Sequence, residues 1–280
     1  MNKFSGLGAI IAASMTAGLG LASDQPSPTI HIFDCGTLAA DDISALSDTG
    51  EFDGRTWTFA VPCYLVSHPD GMLFWDAGFA EARATSPDNG TDGFRARLDK
   101  LLAVQLDESG IVAADIDMIA LSHLHWDHAG NANAFAGTAT WLAREAQIDY
   151  GFRESAAEMG FDPKTYGALE DGPTQIIAGD HDVFGDGSVI ILSAPGHTPG
   201  HQVLFVDLKE YGPIVLSGDL YPLKESREKR LVPNFNFDKD MTLASMERIE
   251  AFIAERGAKL IVQHSVEDYE ALPHAPDVLK

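Results

Sequence analysis

One short stretch restricts the possible folds of this chain more than any other. Residues 122–130, SHLHWDHAG, place three histidines and one aspartate within six positions. Imidazole nitrogens and carboxylate oxygens are ligands that Zn²⁺ takes in proteins. His123 and His125 are two positions apart, so in an extended chain they point the same way, whereas the adjacent Asp127 and His128 diverge. The stretch is therefore predicted to serve two neighbouring metal ions, and the fold must bring further ligands to it.

The further candidate ligands follow apolar segments that are predicted to be strands. Each segment is followed closely by a metal-competent side chain: residues 119–121 precede the histidine-rich stretch, 190–192 precede His197, 214–216 precede Asp219, and 260–262 precede His264. Loops at one edge of a sheet are where a rigid scaffold gathers side chains from distant parts of a sequence. A metal site at such an edge is the resulting prediction.

Short apolar runs alternate with helical patterns along the chain, which predicts an α/β fold. Strands are predicted at residues 30–33, 58–61, 63–66, 72–75, 116–121, 189–192, 202–206, 214–216 and 260–262, with a hairpin turn at His68-Pro69-Asp70-Gly71. Helices are predicted over 94–106 and over 243–256, the second ended by Gly257. Strands flanked by helices in both halves favour two sheets packed face to face with helices outside.

The N-terminal residues 1–22 have the layout of a secretory signal peptide. Lys3 supplies a positive charge, residues 4–22 carry none, and Gly20-Leu21-Ala22 provides small residues for cleavage. The alternative is a membrane anchor, which the many Gly, Ser and Thr residues disfavour. We therefore expect a domain over 23–280 that is exported to the periplasm or secreted, with no stable membrane insertion once the signal is removed.

The charge balance restricts the partners. With 42 acidic and 19 basic residues the formal charge is −23, a field that repels nucleic acids and anionic membrane surfaces and favours neutral or cationic small molecules. No pattern predicts an oligomeric state. The two cysteines, Cys35 and Cys63, either form a disulfide in an exported protein or are buried free thiols.

The complete motif set resembles the metallo-β-lactamase superfamily, over nearly all of the chain beyond residue 22. The resemblance implies an αββα sandwich with a dinuclear site in a cleft at one sheet edge. The ligand roles of the superfamily, carried over by position, imply that the first metal is held by His123, His125 and His197 and the second by Asp127, His128 and His264. Asp219 would bridge the two metals. A histidine at 125 favours zinc hydrolysis over di-iron chemistry, so two Zn²⁺ per chain are expected.

Within that superfamily, the wordings SHLHWDHAGN, PGHTPGHQVLFV and HPDGMLFWDAG are similar to N-acyl homoserine lactonases. Asp76 matches an aspartate that supports the site from behind the ligands, and His201 either does the same or faces solvent at the start of a strand. Many of these lactonases place a tyrosine that contacts the substrate carbonyl three residues after the bridging aspartate. Here that position is Pro222, so Tyr221 is the candidate for this catalytic role.

The resemblance implies a lactonase that opens the ring of N-acyl homoserine lactones, which are quorum-sensing signals, by attack of a metal-bridging hydroxide. Asp127 is expected to pass a proton to the leaving oxygen. Trp126 is a candidate pocket wall, and Tyr221, Leu231, Phe235 and Phe237 form either an apolar wall or, as we expect for the two phenylalanines, core packing. The alternatives are an exported hydrolase of organophosphate triesters or thioesters and a non-catalytic zinc-binding protein.

Overall fold

Two β-sheets lie at the centre of the computed structural model, which describes residues 1, 27–85 and 93–280. The strands in chain order are β1 (Thr29–Ala40), β2 (Trp57–His68), β3 (Gly71–Trp75), β4 (Phe94–Arg97), β5 (Met118–Ala120), β6 (Thr140–Ala143), β7 (Thr174–Ile176), β8 (His181–Asp182), β9 (Val189–Ser193), β10 (Gln202–Leu208), β11 (Gly212–Leu216), β12 (Lys259–Ile261) and β13 (Val278–Leu279). The helices are α1 (Leu102–Glu108), α2 (Glu145–Gly151), α3 (Pro163–Tyr166), α4 (Lys224–Lys229), α5 (Lys239–Arg256) and α6 (Val266–Glu270).

The two sheets divide the chain into an N-terminal and a C-terminal half. The first has the strand order β13-β1-β2-β3-β5-β6-β7, with β4 also paired to β1, and the second has the order β12-β11-β10-β9-β8. The pairs β3–β5, β5–β6, β6–β7 and β11–β12 are parallel, and the other pairs are antiparallel. Strands β3 and β5 of the first sheet therefore end at one edge, as do β11 and β12 of the second.

The alternation of side chains along β10 explains the layers. Leu204 and Val206 belong to the core between the sheets, with Trp75 of the first sheet, while Phe205 faces the opposite way into a core that contains Ile249 of α5. Each fully buried side chain of this kind contributes about 1.5–3 kcal/mol. A further core on the outer face of the first sheet includes residues of α1 and α3. The predicted αββα sandwich is thus the fold.

Most strand predictions are confirmed, and two adjacent ones merge. Residues 58–61 and 63–66 belong to the single strand β2. Pro62 does not interrupt this strand, because it lies opposite Asp34, where the register of β1 becomes irregular. A proline cannot donate to the ladder and is tolerated at such a position. The predicted hairpin turn joins β2 to β3, with His68 paired to Gly71.

Two helix predictions need correction. The helix predicted over 94–106 is wrong: residues 94–97 pair with β1 as β4, and only 102–108 are helical. Pairing with a neighbouring strand outweighed local helical spacing there. Helix α5 ends before Gly257, as predicted, but begins at Lys239 rather than Leu243, because the Asp238 side chain accepts a hydrogen bond from the Met241 N–H at 2.7 Å and caps the helix.

Cys35 and Cys63 form a disulfide between β1 and β2, with their Cα atoms 5.7 Å apart. The structure therefore resolves the alternative that the sequence left open. The signal peptide predicted over 1–22 lies outside the described residues, apart from Met1. Within the described part, none of the helices combines the length and apolar character needed to cross a bilayer.

The turn after β9 requires glycine at position 196, and this generates a stability prediction. Gly196 has φ +138°, and a Cβ there would lie 2.4 Å from the backbone nitrogen of Thr242 in α5. Gly257 has φ +63° but open space around it, so it is a matched control. We expect Gly257→Ala to cost about 1–2 kcal/mol from backbone strain alone, and Gly196→Ala roughly 3 kcal/mol or more, because overpacking is added.

Urea unfolding of the metal-free variants measures both costs without a contribution from bound metal. Equal losses for the two substitutions would contradict the close approach of the β9 turn to α5.

Candidate metal centre

The candidate ligands meet where strands of both sheets end. His123, His125, Asp127 and His128 follow β5, His197 follows β9, Asp219 follows β11 and His264 follows β12. Two groups of ligand atoms form there, each within 4.8 Å: His123, His125, His197 and Asp219 in the first, and Asp127, His128 and His264 in the second. The structure therefore brings together all seven residues that the sequence selected as ligands.

The first group is tightly convergent. Nδ1 of His125 lies 2.8 Å from Nε2 of His123 and 3.0 Å from Nε2 of His197. Oδ2 of Asp219 is 3.3 Å from Nε2 of His197 and 3.7 Å from Nε2 of His123. Three ring nitrogens and one carboxylate oxygen thus surround a single point, which suits a tetrahedral metal ion.

The second group uses the other oxygen of the same carboxylate. Oδ1 of Asp219 lies 2.9 Å from Nε2 of His264 and 3.1 Å from Nε2 of His128, and these two nitrogens are 3.1 Å apart. Oδ2 of Asp127 is 3.8 Å from both nitrogens. Asp219 therefore faces one group with each oxygen, the arrangement that a bridging ligand requires.

Hydrogen bonds at the Nδ1 atoms of His264 and His128 indicate that the space between their Nε2 atoms and Asp219 suits a cation. Nδ1 of His264 lies 2.8 Å from the Ala60 carbonyl oxygen, and Nδ1 of His128 lies 3.0 Å from Oδ2 of Asp76. Because those acceptors require a proton on Nδ1, a neutral ring presents the lone pair of Nε2 to Asp219. Oδ1 of Asp219 correspondingly has no hydrogen-bond donor among the described residues. Lone pairs facing a buried carboxylate repel it unless a metal ion or protons lie between them.

The electrostatics of the protein without metal agree with this interpretation. Burial lowers the pKa of His128, but the carboxylates of Asp219, Asp127 and Asp76 outweigh it and hold that pKa well above the ordinary value. In His264, burial is likewise outweighed by Asp219, and the pKa is raised. The carboxylates therefore attract positive charge to the second group.

Asp76 acts from behind the ligands, at the end of β3. It is buried and has φ +56°, uncommon for a residue other than glycine. Its carboxylate accepts hydrogen bonds from the Ser122 N–H at 2.6 Å, from the Ser122 hydroxyl at 2.9 Å and from Nε2 of Gln263 at 2.5 Å, besides contacting His128. Such contacts orient a ligating imidazole and fix its tautomer.

His201 also lies behind the ligands, and the solvent-facing alternative is wrong, because its residue exposure is 0%. Its Nδ1 lies 2.9 Å from the Ala194 carbonyl oxygen, and its Nε2 accepts the N–H of Asp219 at 2.9 Å. Burial, aided by His197, lowers its pKa to about 3, so the ring is neutral and makes both bonds. His201 thereby positions the backbone of Asp219.

Two residues of this supporting layer were not predicted from the sequence. Asn236 accepts a hydrogen bond from Nδ1 of His197 at 2.9 Å, and Gln263 donates to Asp76. Gln263 directly precedes His264, which is a usable signal, because a residue beside a ligand often supports the site. Asn236 is 39 positions from His197, and nothing local in the sequence connects them.

A cavity of about 450 Å³ opens beside both groups. Its floor includes His125, Asp127, His197, Asp219 and His264, and its apolar walls include Leu38, Leu46, Phe59, Trp126, Met159 and Phe235. Trp126, predicted as a pocket wall, lines the cavity and stacks on Phe79 with ring centroids 5.0 Å apart. The volume lies in the range of small-molecule sites, 300–1,000 Å³.

The aromatic residues after Asp219 differ from expectation. Phe235 and Phe237 are 52% and 48% exposed, so their predicted core packing is wrong. They lie in the loop between α4 and α5, which the Phe237 N–H ties to the His197 carbonyl oxygen at 3.1 Å, and Phe235 lines the cavity. Leu231 is buried, in a cluster with Leu38 and Phe59.

Tyr221 does not join the site. Its hydroxyl donates to Oε1 of Glu250 at 2.9 Å, beside Arg227, and the residue lines a different cavity from the one at the metal centre. Pro222 is the neighbour that lines the cavity. This arrangement gives no support to the catalytic role predicted for Tyr221.

The contacts of Asp76 generate a prediction about metal affinity. Asp76→Asn keeps the shape but removes the charge that holds His128, so metal affinity should fall about 10- to 100-fold, as for other residues that support ligands. Titration against a competing chelator measures it. Asp117→Asn is the matched control, because Asp117 also accepts a backbone N–H, from Met72 at 2.8 Å, but lies before β5, at the opposite end of that strand from the candidate ligands. Equal affinities for both variants would contradict the role of Asp76.

Comparison with known proteins agrees with this geometry. Residues 56–264 match the family model of the metallo-beta-lactamase superfamily. The chain is 28% identical, over 80% of its length and 89% of the relative's, to the N-acyl homoserine lactonase AttM of Azorhizobium caulinodans. A solved N-acyl homoserine lactone hydrolase with bound N-hexanoyl-L-homoserine shares its fold, with TM-score 0.78, 24% identity and coverage of 90% of this chain and 99% of that one.

A second solved structure, AidC, described as a dizinc quorum-quenching lactonase in complex with a product, has TM-score 0.63 and 17% identity and covers 85% of this chain and 86% of that one. The likeness to both structures is one of fold. Family match, sandwich architecture and paired ligand groups lead to one conclusion: the chain belongs to the metallo-beta-lactamase superfamily.

Proposed function

We propose that this protein is a lactonase that binds two Zn²⁺ per chain and opens the ring of N-acyl homoserine lactones. The observation that carries the proposal is the Asp219 carboxylate, which directs one oxygen to each ligand group at the floor of an apolar cavity. The curated relatives named N-acyl homoserine lactonase support the choice of substrate. The relative described as dizinc supports the choice of metal and its number.

Each metal ion would have three ligands of its own and share a seventh residue with the other ion. His123, His125 and His197 would hold the first ion, Asp127, His128 and His264 the second, and Asp219 both. When bound, such a pair of zinc ions supplies a water-derived nucleophile at neutral pH and polarises an ester carbonyl. The supporting contacts of Asp76, Asn236 and His201 keep the ligands in place without reorganisation.

Asp127 is the residue with a role beyond ligation. Its carboxylate lines the cavity, and Oδ2 lies 3.8 Å from the nearest imidazole nitrogens, farther than any other ligand atom of the second group. Ring opening turns the ester oxygen into an alkoxide that must gain a proton. We assign that transfer to the Asp127 carboxylate, which can take a proton from the attacking water and deliver it to the leaving oxygen.

The walls and the charge of the protein suit this substrate. Leu38, Leu46, Phe59 and Met159 offer an apolar surface to an acyl chain, and the half-exposed Phe235 extends it to the rim. The substrate is neutral, whereas the opened product carries a carboxylate. A chain of formal charge −23 does not attract the neutral substrate strongly. It repels the anionic product, and this repulsion favours product release.

The substrate assignment is tested with a panel on zinc-loaded protein: N-hexanoyl homoserine lactone, paraoxon and a thioester. We expect the lactone to have the highest kcat/KM, chelation to abolish its hydrolysis, and zinc to restore it, with about two ions per chain. Asp219→Ala should lower both metal content and kcat/KM, the latter at least about 100-fold, because the shared ligand is lost.

A higher kcat/KM for paraoxon or the thioester would show that the substrate assignment is wrong, whereas the metal centre would stand. If the protein binds two zinc ions but hydrolyses no ester, it is a non-catalytic zinc-binding protein and the proposal is wrong. Full hydrolysis by Asp219→Ala would remove the bridge from the mechanism.

We also propose that the protein is exported after removal of residues 1–22. The composition of that segment and the Cys35–Cys63 disulfide support export, because disulfides persist in oxidising compartments. N-terminal sequencing of protein recovered from the periplasm or medium should begin at Ser23. Recovery only from the membrane fraction with an intact N-terminus would contradict cleavage and favour an anchor.

A further inference from the structure

One polar group in the cavity wall has no role in the site described so far. Among the buried side-chain atoms without a hydrogen-bond partner in the described part of the chain, two belong to residues that line the cavity at the metal centre. One is Oδ1 of Asp219, which faces the second ligand group. The other is the hydroxyl oxygen of Thr198.

The position of Thr198 is determined by its backbone. It directly follows the candidate ligand His197, and its carbonyl oxygen accepts the N–H of Gly196 at 3.0 Å and the N–H of His201 at 3.2 Å. The residue is only 3% exposed. Its side chain is therefore held beside the first ligand group. The hydroxyl oxygen is itself buried, and a rotation about χ1 between staggered positions would turn it toward the cavity.

An unpaired buried hydroxyl is unfavourable, and about nine in ten buried polar groups in proteins have a partner. Valine would fill the same space without that cost. Because Thr198 lines a ligand cavity, a χ1 rotation that turns its hydroxyl to the cavity would let a ligand satisfy it, and a hydroxyl can both donate and accept. The other neutral hydroxyl of the lining residues is that of Tyr150, a partly exposed residue.

We propose that the hydroxyl of Thr198 hydrogen-bonds the amide of the N-acyl homoserine lactone and so selects lactones that carry an acylamino group. This inference rests on the proposed function. The amide nitrogen is attached to the carbon next to the lactone carbonyl, so a substrate whose carbonyl lies at the metal ligands brings its amide close to them. Thr198 is one residue from such a ligand, and the adjoining Phe235 wall suits the acyl chain.

The test compares wild type, Thr198→Val and Thr198→Ser, all zinc-loaded, on two substrates. One is N-hexanoyl homoserine lactone, and the other is an alkyl γ-lactone without an amide. Thr198→Val should lower kcat/KM for the first roughly three- to tenfold, the range for one neutral hydrogen bond, chiefly through KM. The value for the alkyl lactone should change less than about twofold, and Thr198→Ser should restore the wild-type ratio.

Two readouts do not depend on turnover. Calorimetric titration with N-hexanoyl homoserine, the product, should show the same loss of affinity in Thr198→Val and its recovery in Thr198→Ser. The melting temperature of metal-free Thr198→Val should equal or exceed that of wild type, because no protein hydrogen bond is removed.

Equal losses on both lactones, or a lowered melting temperature with no change in the ratio, would show a structural hydroxyl and overturn the inference. An unchanged ratio in Thr198→Val would overturn it as well. Failure of the proposed function is distinguishable from these outcomes, because wild-type protein would then hydrolyse neither lactone.

Discussion

The face-to-face packing of the two sheets is the constraint on which the rest of the structure depends. Trp75 of the first sheet and Leu204 of the second lie in one buried core, and this core holds the ends of β5, β9, β11 and β12 at a common edge. Exposure of that core to water would cost about 1.5–3 kcal/mol per buried side chain. The ligand loops are therefore positioned by a stability that does not depend on the ligands themselves, as a preorganised site requires.

Besides this packing, the site has an electrostatic requirement that concerns the buried carboxylate of Asp219. Asp219 is placed beside His128 and His264, whose Nδ1 atoms are already engaged by acceptors behind them, so their Nε2 atoms converge on a carboxylate. Only positive charge relieves that arrangement. In the supporting layer, Asp76 orients the ring of His128 and His201 orients the backbone of Asp219. The same geometry therefore attracts positive charge, either as a metal ion or as protons on His128 and His264.

The seven ligands were predictable because their types and spacings carry the chemistry locally, and each follows an apolar strand. The supporting residue Asn236 was not predictable, because its partner His197 is distant in sequence. Tyr221 and Pro222 show the same limit, since adjacent residues diverge and only the course of the backbone decides which one lines the cavity. Phe235 and Phe237 are residue types common in cores, but they lie about half exposed in the loop between α4 and α5, where Phe235 lines the cavity.

By itself, the sequence determined which side chains can hold metal and that strands with outer helices build an α/β sandwich, because ligand chemistry and side-chain periodicity are local properties. Tertiary structure alone decided that residues 94–97 pair with β1, that Cys35 meets Cys63, that His201 is buried behind Asp219, and that Thr198 and Pro222 rather than Tyr221 line the cavity at the metal centre. These outcomes depend on which distant segments share a core, and burial, unlike spacing, is a property of the whole chain.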